Sequence, residues 1–136
     1  MSELDDFLGW VTTRHLDAEV AILSGDPEPR RTVWSHQDPV TLFGAWYTAS
    51  GWSDVSAVFG RLGTVFSDCV AFERELVAAD VSGDLAYTVW YEHSRASLNG
   101  IPSGGTLRVT HIYRREAGEW KVVHRHADSP PVPPTG

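Results

Sequence analysis

His36 and Asp38 are the residues in this sequence whose types and spacing best suit proton transfer. An imidazole titrates near neutrality, and a carboxylate close by in the chain can orient it, so the pair could act as a general base where a helix gives way to a strand. The competing reading is structural, with Asp38 capping a turn before Pro39 and His36 satisfying nearby backbone. A second constellation, His124, His126 and Asp128, alternates along one expected strand, and two histidines with a carboxylate form a known metal set. The rise of a strand argues against it: neighbours in the set stand about 6.6 Å apart and the outer two about 13 Å. No metal is expected, and these histidines read as packed at a sheet face or a subunit contact. Cys69 has no visible partner to lower its thiol pKa, and Gly100, Gly104 and Gly105 lack the spacing of a phosphate-binding loop. No nucleotide motif is present, and no cofactor is expected.

The elements that must position these groups follow from periodicity. Glu3 to Leu23 reads as helix, with Leu4, Phe7, Leu8 and Val11 on one stripe and Leu16, Val20 and Leu23 on a drifted continuation. Ser24-Gly25-Asp26-Pro27 stops it and starts a short second helix through Arg30 and Val33, ending near Trp34-Ser35-His36. Val40 to Phe43 and the region of Trp46-Tyr47 read as a tight pair of short strands. Trp52, Val55, Phe59, Leu62 and Phe66 recur at helical spacing, and Gly60 and Gly63 would let that helix pack closely. After Asp68 the pattern turns to long strands: Val70 to Val81, Leu85 to Ser97, Leu107 to Glu116 and Trp120 to Asp128. They are separated by turns at Ser82-Gly83-Asp84, Asn99 to Gly105 and Ala117-Gly118. Helices first and hairpin-linked strands afterwards predict an α+β fold, with the helices gathered on one face of a curved antiparallel sheet. One domain over residues 1–128 and a proline-rich tail over 129–136 are expected.

Alternation sorts the strand residues into two faces. The sets Tyr87, Val89, Tyr91, His93 and Leu107, Val109, His111, Tyr113 and Trp120, Val122, His124, His126 read as one aromatic, histidine-bearing face. Thr88, Trp90, Glu92, Arg108, Thr110, Ile112, Val123 and Arg125 form the other. Periodicity leaves open which face lines a pocket and which meets a partner.

Composition narrows the function classes. At 136 residues the chain suits one domain; 42% hydrophobic and 21% charged residues are ordinary for a globular protein. Eleven basic against eighteen acidic residues give a net charge of -7, which would repel a phosphate backbone, so nucleic acid is not expected as a partner. The single cysteine excludes an intramolecular disulfide. The acidic start lacks the basic and apolar regions of a signal peptide, and no apolar stretch approaches the ~20 residues of a membrane span. A cytoplasmic location and no membrane association are expected.

The segments Trp34 to Gly44, Thr110 to Trp120 and Val122 to Asp128 resemble the SnoaL-like group of the nuclear transport factor 2-like superfamily, and the order of elements is similar over Glu3 to Asp128. The later segments also resemble the end of the calcium/calmodulin-dependent kinase II association domain. The resemblance implies a cone-shaped half-barrel, with N-terminal helices packed on the concave face of the sheet around a pocket for a small hydrophobic ligand, and commonly a homodimer through the other face. It implies that Trp34, Trp46, Tyr47 and Trp52 border the open end of the cone with His36, facing strand residues such as Trp90 and Thr110. The kinase association-domain likeness places Thr110 and Ala127 toward the cavity. When the ketosteroid isomerase pattern is laid over this chain, its base falls at Phe43 and its oxyanion tyrosine at Ala18, neither of which can do that chemistry. Two functions remain open: cofactor-free acid/base catalysis on a hydrophobic or polyketide-like substrate, with His36 and Asp38 as actors, and a non-catalytic ligand-binding or dimerising module.

Overall fold

A computed structural model describes residues 2–134. The N-terminal helical rod begins at α1 (Glu3–Trp10), where the Ser2 hydroxyl caps the Asp5 N–H at 3.1 Å. It passes through a π-helical turn (Val11–His15) into α2 (Leu16–Leu23). The wide turn has a local cause: the Thr12 and Thr13 hydroxyls bond back to the Leu8 and Gly9 carbonyls at 2.8 and 2.7 Å, competing with the helical ladder. The turn also accounts for the drifting stripe. Phe7, Val11, His15, Ala18, Glu19 and Ile22 face inward, while Leu16, Val20 and Leu23 are only half-buried.

α3 (Glu28–Val33) follows the expected Gly-Asp-Pro break, and β1 (Thr41–Phe43) pairs with β2 (Thr48–Ser50). α4 (Trp52–Val65) buries Val55, Val58 and Phe59. A side chain at Gly63 would come within 2.9 Å of the Pro27 ring, so the close packing of α4 against the α2–α3 turn requires glycine there. No helix among the described residues is long and apolar enough to cross a membrane.

The long strands are β3 (Phe66–Ser82), β4 (Leu85–Leu98), β5 (Ile101–Glu116) and β6 (Glu119–Asp128). The sheet order is β2-β1-β6-β5-β4-β3, with antiparallel pairs throughout except β1 against β6, which is parallel. The expected seven-residue loop Asn99 to Gly105 is corrected: Asn99 and Gly100 alone make the turn, both at positive φ, and β5 starts at Ile101. Residues 129–134 follow β6 without regular structure.

Register corrects the division of faces. Thr88 pairs with His111, Trp90 with Val109 and Glu92 with Leu107, so these six share the concave, helix-covered face. Tyr87, Tyr91 and His93 point outward with Ile112, Arg108 and Thr106. Strand β6 changes sides partway. Ile112 pairs with His124 and Tyr113 with Val122, leaving Val123 as the extra residue of a bulge. Trp120 and Val122 therefore face inward before the bulge and Arg125 and Ala127 after it, whereas His124 and His126 face outward. Alternation without the bulge puts the histidines on the wrong face.

Candidate functional site

Between α2, α3, α4 and the concave sheet lies a cavity of about 110 Å³. Its walls are apolar, with Ile22 from α2, Leu42 from β1, Val58 and Leu62 from α4, and Leu107 from β5. At the rim Trp46, 57% exposed, stacks on Phe66 with centroids 5.5 Å apart, and the Tyr47 ring lies beneath the Arg61 guanidinium at 5.6 Å. Four charged side chains also line it: Glu19, Arg30, Glu92 and Arg125, each at most 7% exposed. Apolar walls closing on a few polar groups are the usual form of a small-molecule site.

Each of the four comes from a different element, and pairing is what allows them to be buried. Arg125 donates both terminal nitrogens to the Glu92 carboxylate at 2.9 Å, a bidentate pair across the sheet. Arg30, its guanidinium 5.1 Å from the Phe59 ring centre, donates to Glu19 Oε2. The other oxygen, Glu19 Oε1, lies 3.2 Å from His15 Nε2, one turn earlier on the rod, though not aligned as a hydrogen bond. Behind them Arg74 donates to His15 Nδ1 at 3.1 Å and to the Val11 carbonyl at 2.7 Å, and its guanidinium covers the Trp90 ring at 4.2 Å. The Tyr113 hydroxyl joins His15 Nδ1 and the Thr88 hydroxyl at 3.2 and 2.8 Å. Trp90 donates its indole N–H to His111 Nδ1 at 3.2 Å.

This arrangement fixes the charges. Burial pushes the Glu19 carboxyl up, but Arg30, the His15 contact and Arg125 outweigh it and hold the group well below the usual range, as a carboxylate. Burial pushes His15 down, and the Glu19 contact only partly offsets this. His111 is pushed well below its ordinary value by burial, by His15 and by Arg125, whose Nη1 stands 3.3 Å from its Nε2. Both histidines are neutral at pH 7. The floor and its backing thus hold two buried arginines, Arg30 and Arg125, and the half-buried Arg74 against two carboxylates.

His15, Glu19 and His111 offer ligand atoms within 4.8 Å of one another, a spacing at which an ion could be held. Their surroundings disfavour one. A histidine that binds metal through one nitrogen normally donates a proton from the other. Here His15 Nδ1 accepts from Arg74, an obligate donor, which leaves the His15 proton on Nε2, while His111 faces obligate donors on both sides, Trp90 at Nδ1 and Arg125 at Nε2, so a cation between the rings would lie beside a guanidinium.

Of the residues singled out from sequence, Trp46 and Tyr47 line this cavity. His36 is exposed, stacked on Trp52 at 4.0 Å, with its Nε2 2.7 Å from the Arg31 carbonyl. Asp38, also exposed, accepts the Trp52 N–H at 2.8 Å and caps α4. Neither borders the cavity: the α3–β1 connection is tied to Val122, Arg114 and Glu116 of the sheet and to the N-terminus of α4. Trp34 is fully buried against Phe59, and Trp52 packs beside it on the core's edge. Trp90 lies on the concave face one layer behind the cavity wall, bonded to His111. Thr110 sits on the outer face opposite His126 and Val89, whereas Ala127 does turn inward. Sequence reasoning named Glu92 and Arg125 only as members of one sheet face, without a role, and passed over Glu19 and Arg30. One signal was available, since His15 and Glu19 fall at four-residue steps from Phe7 and Val11, on the core stripe itself.

The architecture matches known structures. An NTF2-like superfamily protein from Salmonella enterica superposes with a TM-score of 0.81 at 20% identity, covering 98% of this chain and 95% of its own. A candidate dehydratase of the NTF2-like family from Streptomyces avermitilis gives 0.75 at 20% identity over 94% and 99%. A ketosteroid isomerase-like protein from Erwinia carotovora gives 0.73 at 17% identity over 96% and 100%. At these identities the likeness is one of fold. No curated protein matches the sequence. The family model for the SnoaL-like domain matches residues 9–133, nearly the whole chain, and with the cone of helices on a curved sheet already described, the protein belongs to the SnoaL-like domain family.

Proposed function

We propose that this SnoaL-like pocket protein carries out cofactor-free acid/base chemistry on a small, mainly apolar molecule, and that the acting groups are Glu19 and Arg30 rather than His36 and Asp38. The observation that carries the reading is a carboxylate and a guanidinium side by side at the end of an apolar cavity. A carboxylate in a dry site can take a proton from carbon beside a carbonyl, while an adjacent fixed cation stabilises the oxyanion that develops. His15, protonated on Nε2 and 3.2 Å behind Glu19, faces the carboxylate with a donor. The cavity is smaller than an engineered apolar cavity of ~150 Å³ that admits benzene. The enclosed, reacting part of a substrate is therefore no larger than one ring, with any remainder extending past Trp46 and Tyr47.

Exchange of α-hydrogens of cyclohexanone in deuterated buffer, followed by NMR, tests this directly. Wild-type protein should speed exchange, and Glu19→Gln should lower that by ~100-fold or more with an unchanged circular dichroism spectrum. Exchange at the buffer rate in the wild type removes the catalytic reading. The second reading, ligand binding without turnover, draws on the salt bridges of the lining groups: a carboxylate held this low is a weak base.

The outer sheet face supports a homodimer. Phe43, 48% exposed, stands edge-on to both His124 and His126 at 5.7 Å, and Tyr87, Tyr91 and Ile112 on the same face are each more than one-third exposed. Large apolar side chains gathered on a strand surface that no helix covers are better buried against a second copy.

A further inference from the structure

Charge balance inside the molecule points to the chemical class of the ligand. The five charged side chains at and behind the cavity floor are Arg30, Arg74, Arg125, Glu19 and Glu92. Arg125 and Glu92 neutralise each other through two hydrogen bonds. Arg30 and Glu19 form a second pair. Arg74 contacts no carboxylate in these bonds; it spends its donors on the neutral His15 ring and a backbone carbonyl, over the face of Trp90. One positive charge is thus in excess, on a guanidinium half-buried against Trp90 behind the cavity floor. The excess makes the surroundings of the floor net positive, which favours an anion there over a cation.

The donor inventory points the same way. Arg30, which lines the cavity at 5% exposure, has a buried Nε–H without a hydrogen-bond acceptor among the described residues. A guanidinium edge with an unused donor is suited to one oxygen of a carboxylate. The two carboxylates on the floor would repel a dianion, and the walls of Ile22, Leu42, Val58 and Leu107 offer nothing to a polar body.

We infer that the pocket takes a compact monoanionic carboxylate, its apolar body about the size of one ring held between α4 and the sheet and its carboxylate against Arg30. This rests on reading the cavity as a ligand pocket and does not require that catalysis occurs there.

Benzoate and its neutral isostere benzamide separate the two ideas by calorimetric titration of the wild-type protein. Benzoate should bind saturably and about tenfold or more tightly than benzamide, and Val58→Trp, which plugs the cavity from α4, should abolish both. Equal affinity for the two probes overturns the anion assignment and leaves the pocket standing. Failure of both probes to bind, or binding that survives the plug, overturns the pocket reading as well. Glu19→Gln provides a sign test: by removing one negative charge beside the ligand it should tighten benzoate several-fold and leave benzamide unchanged. Weaker benzoate binding to folded Glu19→Gln counts against the proposal. If that variant does not fold, the comparison of probes on the wild type still decides.

Discussion

At the scale of residues, the buried histidines and Glu19 make stability depend on pH with a definite sign. His15 and His111 bind protons less readily folded than unfolded, so the stability they contribute is complete above their ordinary value of 6.5 and declines as pH falls below it. Each unit of depression is worth about 1.4 kcal/mol at full effect. Glu19, also lowered in the fold, contributes stability that is present above the unfolded carboxyl value near ~4.3 and is lost as pH falls through its folded value. Thermal unfolding followed by circular dichroism should show a first decline in Tm between pH 7 and 5 and a steeper one below pH 4. His111→Gln, which keeps an acceptor for the Trp90 indole, should make the first decline shallower. An unchanged slope would mean that His111 is not held neutral by burial.

At the scale of elements, Asp38 tests what the α3–β1 connection does. Its carboxylate caps the Trp52 N–H, so Asp38→Ala should cost about 1 kcal/mol of stability and leave ligand binding intact. Loss of activity without loss of stability would restore the catalytic role that its spacing from His36 suggests. Elements were legible where pattern is local. The α4 stripe, the Gly25-Asp26-Pro27 break and the Ala117-Gly118 turn each stand where periodicity and turn chemistry place them. The site was less legible because its residues break the pattern. A core glutamate or arginine reads as a solvent-facing group until its partner is known, and the partners of Glu19 and Arg125, at Arg30 and Glu92, are 11 and 33 residues away. His36 drew notice because its neighbours in sequence suggested chemistry. His15, with Arg74, Tyr113 and Glu19 around it in space, gave no such local cue.

At the scale of the whole molecule, the outer face should decide assembly. Light scattering at micromolar concentration should return about twice the 15.0 kDa chain mass, and Ile112→Glu, placing a charge amid Tyr87, His124 and Thr110, should return the chain mass with the fold intact. A wild-type monomer removes the dimer. Which side chains face that partner and which face the ligand depends on Val123. A strand has a parity, odd residues to one side and even to the other, and a single unpaired residue reverses it for everything downstream. Were the strand to run through Val123 in plain alternation, without the bulge, His124 and His126 would turn toward the ligand and Arg125 would be carried out to the solvent, stranding Glu92 in the interior at a cost of about 3–5 kcal/mol. That is a large share of a domain's typical ~5–15 kcal/mol, so inside and outside along this strand hang on one valine being set aside from the ladder, whereas its deletion would join Val122 to His124 and leave both faces as they are.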